Sequence, residues 1–376
     1  IDGISSWWAT LHGHGHPLLV EAMKTQAVEL DHVLFAGCTH EPAVRLADQL
    51  IQQTPSSLTH VFFSDNGSTS VEVALKMAYQ SWKNRGESGR NLFVAFDHAY
   101  HGDTFGAMAV GGVDVFHSAY SDLFFEVRRA TAPSRRAVSP GAEDLEKILE
   151  READQIAAVI MEPMVQAAGG MIIWPREFLC RVRELTAHYG IPLIADEVFT
   201  GFGRTGKMFC GDWDGHRGDI MIVGKALGGG VFPVSGILSN SDIMDVFTPG
   251  NHGSTFGGNP LGAAVGRAAL EVIQEEKLVD QSNDLGQWFM GELKSINSPH
   301  IAEVRGRGLM IGVVIKESSG TARPFCEALQ QRGILAKETH EQVIRFAPPL
   351  VIEKETLEWA LPNIAEVVEG AAVAVG

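Results

Sequence analysis

Cysteine is scarce in this chain of 376 residues: Cys38, Cys180, Cys210 and Cys326 are its four, and no two form a Cys-x-x-Cys pair. That argues against a disulfide framework and suits a reducing, cytoplasmic setting. No uninterrupted apolar run is long enough to span a bilayer, so no membrane partner is expected. Basic residues are in deficit, 30 Lys and Arg against 46 Asp and Glu, which argues against nucleic acid and anionic lipid as partners. No signal peptide is visible, and the sequence opens on Ile1 without an initiator methionine. What remains is ordinary for a globular protein, 45% hydrophobic and 20% charged, with length for a large core and about two domains.

The most informative stretch runs from Leu193 to Gly230. Ile191 to Ala195 is an apolar run closing on Asp196 and Glu197, and Asp219 to Gly224 is a second one closing on Lys225 and a glycine cluster. Two buried parallel strands read this way, each delivering a charged residue to the edge where open α/β sheets bind ligands. An amine and a carboxylate in one crevice suit a pyridine-aldehyde cofactor: the amine condenses with the aldehyde, and the carboxylate keeps the ring nitrogen protonated. The same pattern also describes a plain ion pair at a sheet edge.

Three further strand ends carry polar groups. His60 to Ser64 leads into Asp65-Asn66-Gly67-Ser68-Thr69 and an amphipathic helix over Val71 to Trp82. A glycine-hydroxyl turn opening a helix offers free N–H groups and a dipole to an anion; without Gly-Lys-Ser/Thr it is no P-loop, and a single phosphate suits it better than a nucleotide. Leu92 to Phe96 leads into Tyr100, His101 and Asp103, where an aromatic can stack on a planar ring or serve only as core. Ile156 to Met161 closes on Glu162, with Gln166 following. Strands alternating with helices argue for an α/β fold, a mainly parallel doubly wound sheet. Pro133 to Pro140 reads as an exposed connector before a helix over Glu143 to Ala153. Beyond the long helix Pro260 to Glu275, the order becomes that of a small α+β domain, with Arg345 on a strand over Val343 to Phe346. An arginine there either binds a carboxylate or snorkels at a strand edge. The expected organisation is an N-terminal segment 1–20, a large domain 21–264 and a small domain 265–376.

Near the N-terminus, Trp7-Trp8 reads as a core anchor or a pocket wall. His12, His14 and His16 alternate, but glycines and Pro17 break the segment and no carboxylate or cysteine completes a ligand set, so no metal is expected.

The motif DEVFTGFGRTG with Lys225 beyond it resembles the class III, fold type I, pyridoxal-phosphate aminotransferases over nearly the whole chain. That resemblance implies pyridoxal 5'-phosphate as cofactor, Lys225 as the Schiff-base lysine and Asp196 as partner of the ring nitrogen. It implies Val198 under the ring and Tyr100 over it, His101, Glu162 and Gln166 beside it, and Gly67 and Ser68 on the phosphate. Thr255, in HGSTFGGNP, would reach the phosphate of a neighbouring subunit, which implies a homodimer with shared sites. The small-molecule partners would be an amino donor and a keto acceptor.

Within the family the sequence is composite. Up to about Asp212, ISSWW, HGHGHP, YHGDTFGAMAVGG and EPMVQAAGGM resemble the adenosylmethionine–8-amino-7-oxononanoate aminotransferases of biotin synthesis. From about Asp219, GKALGGGVFPVSG, VRGRGLMIGVVIKE and VIRFAPPLVI resemble ornithine aminotransferases. A natural intermediate, a resampled ancestor and a deliberate chimera all give such a pattern. Where ornithine aminotransferases carry a glutamate that neutralises the carboxylate-binding arginine, this chain has Ala168, and Asp103 stands where they have an arginine. The resemblance therefore assigns a substrate carboxylate to Arg345, a cationic amine to Asp103, and a long, partly apolar substrate to Trp7 and Trp8. One departure bears on donor binding: the aromatic-bearing segment preceding the double tryptophan in the biotin subfamily has no counterpart here.

The expected activity is ping-pong amino transfer from S-adenosylmethionine to 8-amino-7-oxononanoate, with ornithine and 2-oxoglutarate as the alternative pair. Other outcomes on the same cofactor, a cofactor-binding but inactive composite, and a histidine-based metal hydrolase are the competing classes.

Overall fold

Short runs of β-branched and aliphatic residues with no polar interruption form the middle of one sheet, because only a strand covered on both faces can bury every side chain. The computed structural model describes residues 1–133, 139–213, 217–248 and 250–370. Its large sheet contains β1 (His60–Ser64), β2 (Leu92–Phe96), β3 (Val127–Ala130), β4 (Ile156–Met161), β5 (Leu193–Asp196), β6 (Ile220–Val223) and β7 (Ser235–Ser239). They lie in the order β1-β7-β6-β5-β4-β2-β3. All residues of β2, β4, β5 and β6 are buried. Pairings among β3, β2, β4, β5 and β6 are parallel, and β7 runs antiparallel to both β6 and β1. Six strands therefore point one way. The sheet is mainly parallel, as expected, with one reversed strand.

This geometry gathers the chemistry. Strands that run in one direction end along one edge, and β1, β2, β4, β5 and β6 deliver the segments after Ser64, Phe96, Met161, Asp196 and Val223 to that edge. Register brings Asp196 beside Ile222, three residues before Lys225.

Two strands of the large sheet escaped the sequence pattern. In β3 two arginines interrupt the apolar run; Arg128 pairs with Glu126 and Glu152, and Arg129 donates to the carbonyls of Ala109, Val110 and Gly111. In β7, Ser235 and Gly236 disguise a fully buried strand. Most of the expected connector, residues 134–138, lies outside the described residues, and the helix after it begins at Ser139 rather than Glu143.

A second, antiparallel sheet holds β8 (Ile301–Arg307), β9 (Met310–Ile315), β10 (Lys337–Thr339) and β11 (Val343–Phe346), in the order β8-β9-β11-β10. Helix Pro260–Glu275 is capped by Asn259, whose side chain accepts from Gly262 N. An apolar cluster extends unbroken from Leu46 and Leu227 through Phe202 and Phe289 to Ile311, Phe346 and Ile364, joining the two sheets. Among the described residues no helix is long and apolar enough to cross a membrane.

Candidate active site

Two cavities, of about 770 and 790 Å³, open at the common edge of the large sheet and share Tyr100, Asp103, Phe199 and Lys225 in their walls.

The first is built by close backbone approach. Asn66 caps helix Gly67–Asn84: its side chain accepts from Thr69 N at 3.1 Å, while Asn66 N donates to Thr69 Oγ1 at 3.2 Å. That leaves the N–H groups of Gly67 and Ser68 without a partner among the described residues, at the positive end of a helix. Ser68 Oγ accepts from Thr104 N at 3.0 Å and shares a 2.9 Å hydrogen bond with Thr104 Oγ1. Glycine is required at two points. A Cβ at Gly67 would stand 2.8 Å from Val198 Cγ1, and one at Gly102, where φ is +126°, would overlap the Ser68 side chain and lie 2.9 Å from its Cα.

At the end of β5, Asp196 is 2% exposed. Its Oδ2 meets His101 Nδ1 at 2.7 Å and its Oδ1 accepts from Val198 N at 3.1 Å, so the carboxylate is held in a fixed orientation. Lys225 follows β6 in a left-handed conformation, φ 43°. Its Nζ lies 3.7 Å from the centroid of the Phe199 ring and makes no hydrogen bond or ion pair among the described residues. Burial pushes its amine down to about 8, against the attraction of Asp196, Glu162 and Asp103. A phosphate-sized anion fits the Gly67–Ser68 end, and a protonated ring nitrogen fits Asp196. The cavity thus suits the cofactor expected from the sequence.

The second cavity is assembled from side chains. Trp7, Tyr100, Asp103, Ala168 and Phe199 face Arg345 and the tip of the β10–β11 hairpin, Thr339 to Glu341. Tyr100 OH donates to Asp103 Oδ2 at 2.7 Å, and burial followed by that bond pushes the phenol pKa up. Arg345 is 3% exposed, donates to the carbonyls of Lys337 (3.3 Å) and Glu338 (3.1 Å), and sits 5.3 Å from Trp7 and 5.5 Å from Trp8. Burial pushes it down to about 10, and no carboxylate lies within ion-pair distance among the described residues. Ser5, Ser6, Trp7 and Trp8 all have positive φ (47°, 43°, 66° and 71°). Such a left-handed turn costs roughly 1–2 kcal/mol per residue and persists only where surrounding contacts impose it.

The expected site residues do not all reach a cavity wall. Gly67, Ser68, His101, Asp196 and Val198 line the first, Trp7 and Arg345 the second, and Tyr100, Asp103 and Lys225 both. Glu162 and Gln166 are wholly buried and line neither. Glu162 accepts from Tyr100 N at 2.9 Å, and burial drives its pKa well up; Gln166 donates to Asp97 O at 2.8 Å. Both brace the loops behind the site. Trp8 is 1% exposed and packs edge-on against Phe199. Thr255 is exposed, outside both cavities. The three histidines part company: His12 is buried against Ala269 O, His14 reaches Asp2, and His16 reaches Glu276.

Phe199, Gly102 and Thr104 are wall residues that the sequence did not single out. Gly102 carried a signal, a glycine between two polar side chains after a strand. Phe199 carried none, since an aromatic after a buried strand reads as core.

The sequence matches the family described as Aminotransferase class-III over residues 1–368, through the region where the subfamily resemblance changes. It is 40% identical to the ornithine aminotransferase of Staphylococcus epidermidis over 375 residues, 98% of this chain and 89% of that protein. It is 41% identical to ornithine aminotransferase 2 of Staphylococcus aureus over a stretch of the same length and coverage. Among solved structures, the adenosylmethionine-8-amino-7-oxononanoate aminotransferase of Methanocaldococcus jannaschii superposes with a TM-score of 0.93 at 32% identity, covering 99% of this chain and 89% of that one. The ornithine aminotransferase of Toxoplasma gondii, crystallised in the presence of oxidised glutathione and with pyridoxal phosphate at partial occupancy in its active site, gives 0.89 at 30% identity, covering 98% and 85%. Family membership and the cavity at the end of the parallel strands agree, and this chain is a class III aminotransferase of fold type I, dependent on pyridoxal phosphate.

Proposed function

We propose that the chain moves an amino group from S-adenosylmethionine to 8-amino-7-oxononanoate, in two half-reactions that share one cavity. The observation carrying this reading is Arg345: it faces the outer cavity without a carboxylate partner among the described residues, with Ala168 in the same wall. An unneutralised guanidinium favours a substrate carboxylate, and Asp103, on Tyr100, favours a cationic amine across the same space. The size of the outer cavity and the exposed face of Trp7 suit a long, partly apolar substrate.

Bound pyridoxal phosphate supplies the electron sink that makes a substrate C–H bond acidic. Lys225, with an amine pushed down to about 8, has a substantial neutral fraction near neutrality and carries the proton away from and back to carbon. Asp196, oriented by His101 and Val198 N, would be the partner of the ring nitrogen. The N–H groups of Gly67 and Ser68 and the Ser68 hydroxyl would hold the phosphate, and Val198 and Tyr100 in the same cavity wall would hold the ring. Thr255, exposed and outside its own cavities, fits a role at a partner's phosphate, so the active form in this reading is a homodimer. Cys38, Cys210 and Cys326 form no disulfide among the described residues, in keeping with a cytoplasmic setting.

The second reading is ornithine with 2-oxoglutarate, favoured by the relatives of that name at 40–41% identity across 98% of the chain. Single-turnover spectroscopy separates the two. Loss of the bound-cofactor absorbance with S-adenosylmethionine supports the first; rapid loss with ornithine and none with S-adenosylmethionine overturns it.

A further inference from the structure

Arg204 belongs to the glycine-rich loop after Asp196, yet it lines neither cavity. It is 1% exposed, and burial pushes its guanidinium down to about 9, opposed by a longer-range attraction to Asp2. No carboxylate reaches it within ion-pair distance among the described residues. Its partners are neutral oxygens on three distant segments: Ser5 Oγ at 3.0 Å, Leu309 O at 3.0 Å and Pro348 O at 2.6 Å. Ser5 extends the link by donating to Ala347 O at 2.7 Å, and Ala347 N donates to Gly3 O at 2.7 Å.

A buried cation of this kind is a poor source of stability, since an apolar side chain of similar volume avoids the desolvation cost. What it does that an apolar residue cannot is fix the mutual placement of the segments it joins. Those segments carry the outer cavity. Ser5 opens the left-handed turn that lays Trp7 and Trp8 beside the Arg345 guanidinium. Ala347 and Pro348 directly follow β11, the strand of Arg345, and Leu309 directly precedes β9, whose Gly312 pairs with Arg345.

We propose that Arg204 and Ser5 form a positioning pair that sets the Trp7 turn against the Arg345 strand and so determines selectivity for carboxylate-bearing substrates. This rests on the reading of Arg345 as the carboxylate site. Neither residue touches the reacting atoms; both act through Arg345 and Trp7.

The test uses purified holoenzyme and two amino donors of similar length, one with a carboxylate and one without. Ser5→Ala and Arg204→Lys are each expected to raise KM for the carboxylate donor about tenfold, to leave kcat within about threefold, and to leave the carboxylate-free donor unchanged, because misplacement of a binding group is felt only by the group it binds. In an Arg345→Gln background, Ser5→Ala is expected to add nothing. Ser5→Ala is the decisive variant, as it removes one hydroxyl and leaves Arg204 two acceptors. An equal rise in KM for both donors, a silent Ser5→Ala, or full additivity with Arg345→Gln overturns the proposal. If Arg345→Gln leaves the carboxylate donor's KM unchanged, the assignment of Arg345 falls and takes this proposal with it. A normal loss in Arg345→Gln beside a silent Ser5→Ala sinks the positioning pair alone.

Discussion

The inner and outer cavities are similar in volume and share four residues, but they are made differently. The inner one is backbone and buried polar groups: two glycines tight against Val198 and Ser68, a capped helix start, and a carboxylate held by two donors. The outer one is long side chains from segments scattered between Trp7 and Arg345, and several of them face solvent. A wall of backbone tolerates one ligand shape. A wall of side chains can be re-cut by substitution without disturbing the fold. The family's shared cofactor and divergent substrates match that division of labour.

Breaking the inner cavity should have the largest effects. Lys225→Ala removes the amine that we propose carries the proton, and kcat is expected to fall by about 10⁴-fold, with loss of borohydride-fixed cofactor at position 225 in peptide mapping. Retained turnover would remove the inner cavity from the chemistry altogether. Gly102→Ala combines a left-handed φ with overlap on Ser68; cofactor affinity, measured by absorbance titration, is expected to drop about ten- to a hundredfold. Unchanged affinity would show that the Ser68 turn has slack.

The outer cavity should respond more gently. The Asp103 side chain is 69% exposed, so solvent screens it, and Asp103→Asn is expected to weaken a cationic donor relative to a neutral one by no more than about fivefold. That preference should shrink in added salt. A loss of a hundredfold would mean that bound substrate seals the site from water.

The smallest effect concerns the support behind both. Burial, only partly relieved by Thr200 Oγ1 at 2.5 Å and Gly211 N at 3.3 Å, raises Glu197 from 4.5 to about 7. Between those values the folded state binds more protons than the unfolded one, so this group's contribution declines as pH rises through the window and is lost above about 7. The Tm of Glu197→Gln, measured against the parent from pH 4.5 to 8, is therefore expected to gain on it across that range. A constant gap would contradict the assignment.

Legibility followed the same division. Strands β1, β2, β4 and β11 were readable to the residue, because each is an apolar run bounded by turn formers or polar residues. That Lys225, Asp196 and the Gly67–Ser68 turn stand at strand ends on one cavity wall was readable, because each follows a short apolar run. Burial of Glu162 and Gln166 behind the wall was not, since a polar residue at a strand end looks the same whether it faces the cavity or the loop behind it. Trp7 and Trp8 are adjacent, yet one is 57% exposed and the other 1%; the left-handed turn that separates their directions depends on contacts with Arg204 and Ala347, far away in sequence.

Local pattern alone determined the class of sheet and the strand ends at which Asp196 and Lys225 stand, because strand burial and turn formation depend on neighbours a few residues apart. Only the tertiary structure decided that Trp7, Asp103, Phe199 and Arg345 share one wall and that Arg204 and Ser5 hold it. Those contacts join separately formed elements, and their side-chain directions are set by packing that no periodicity records.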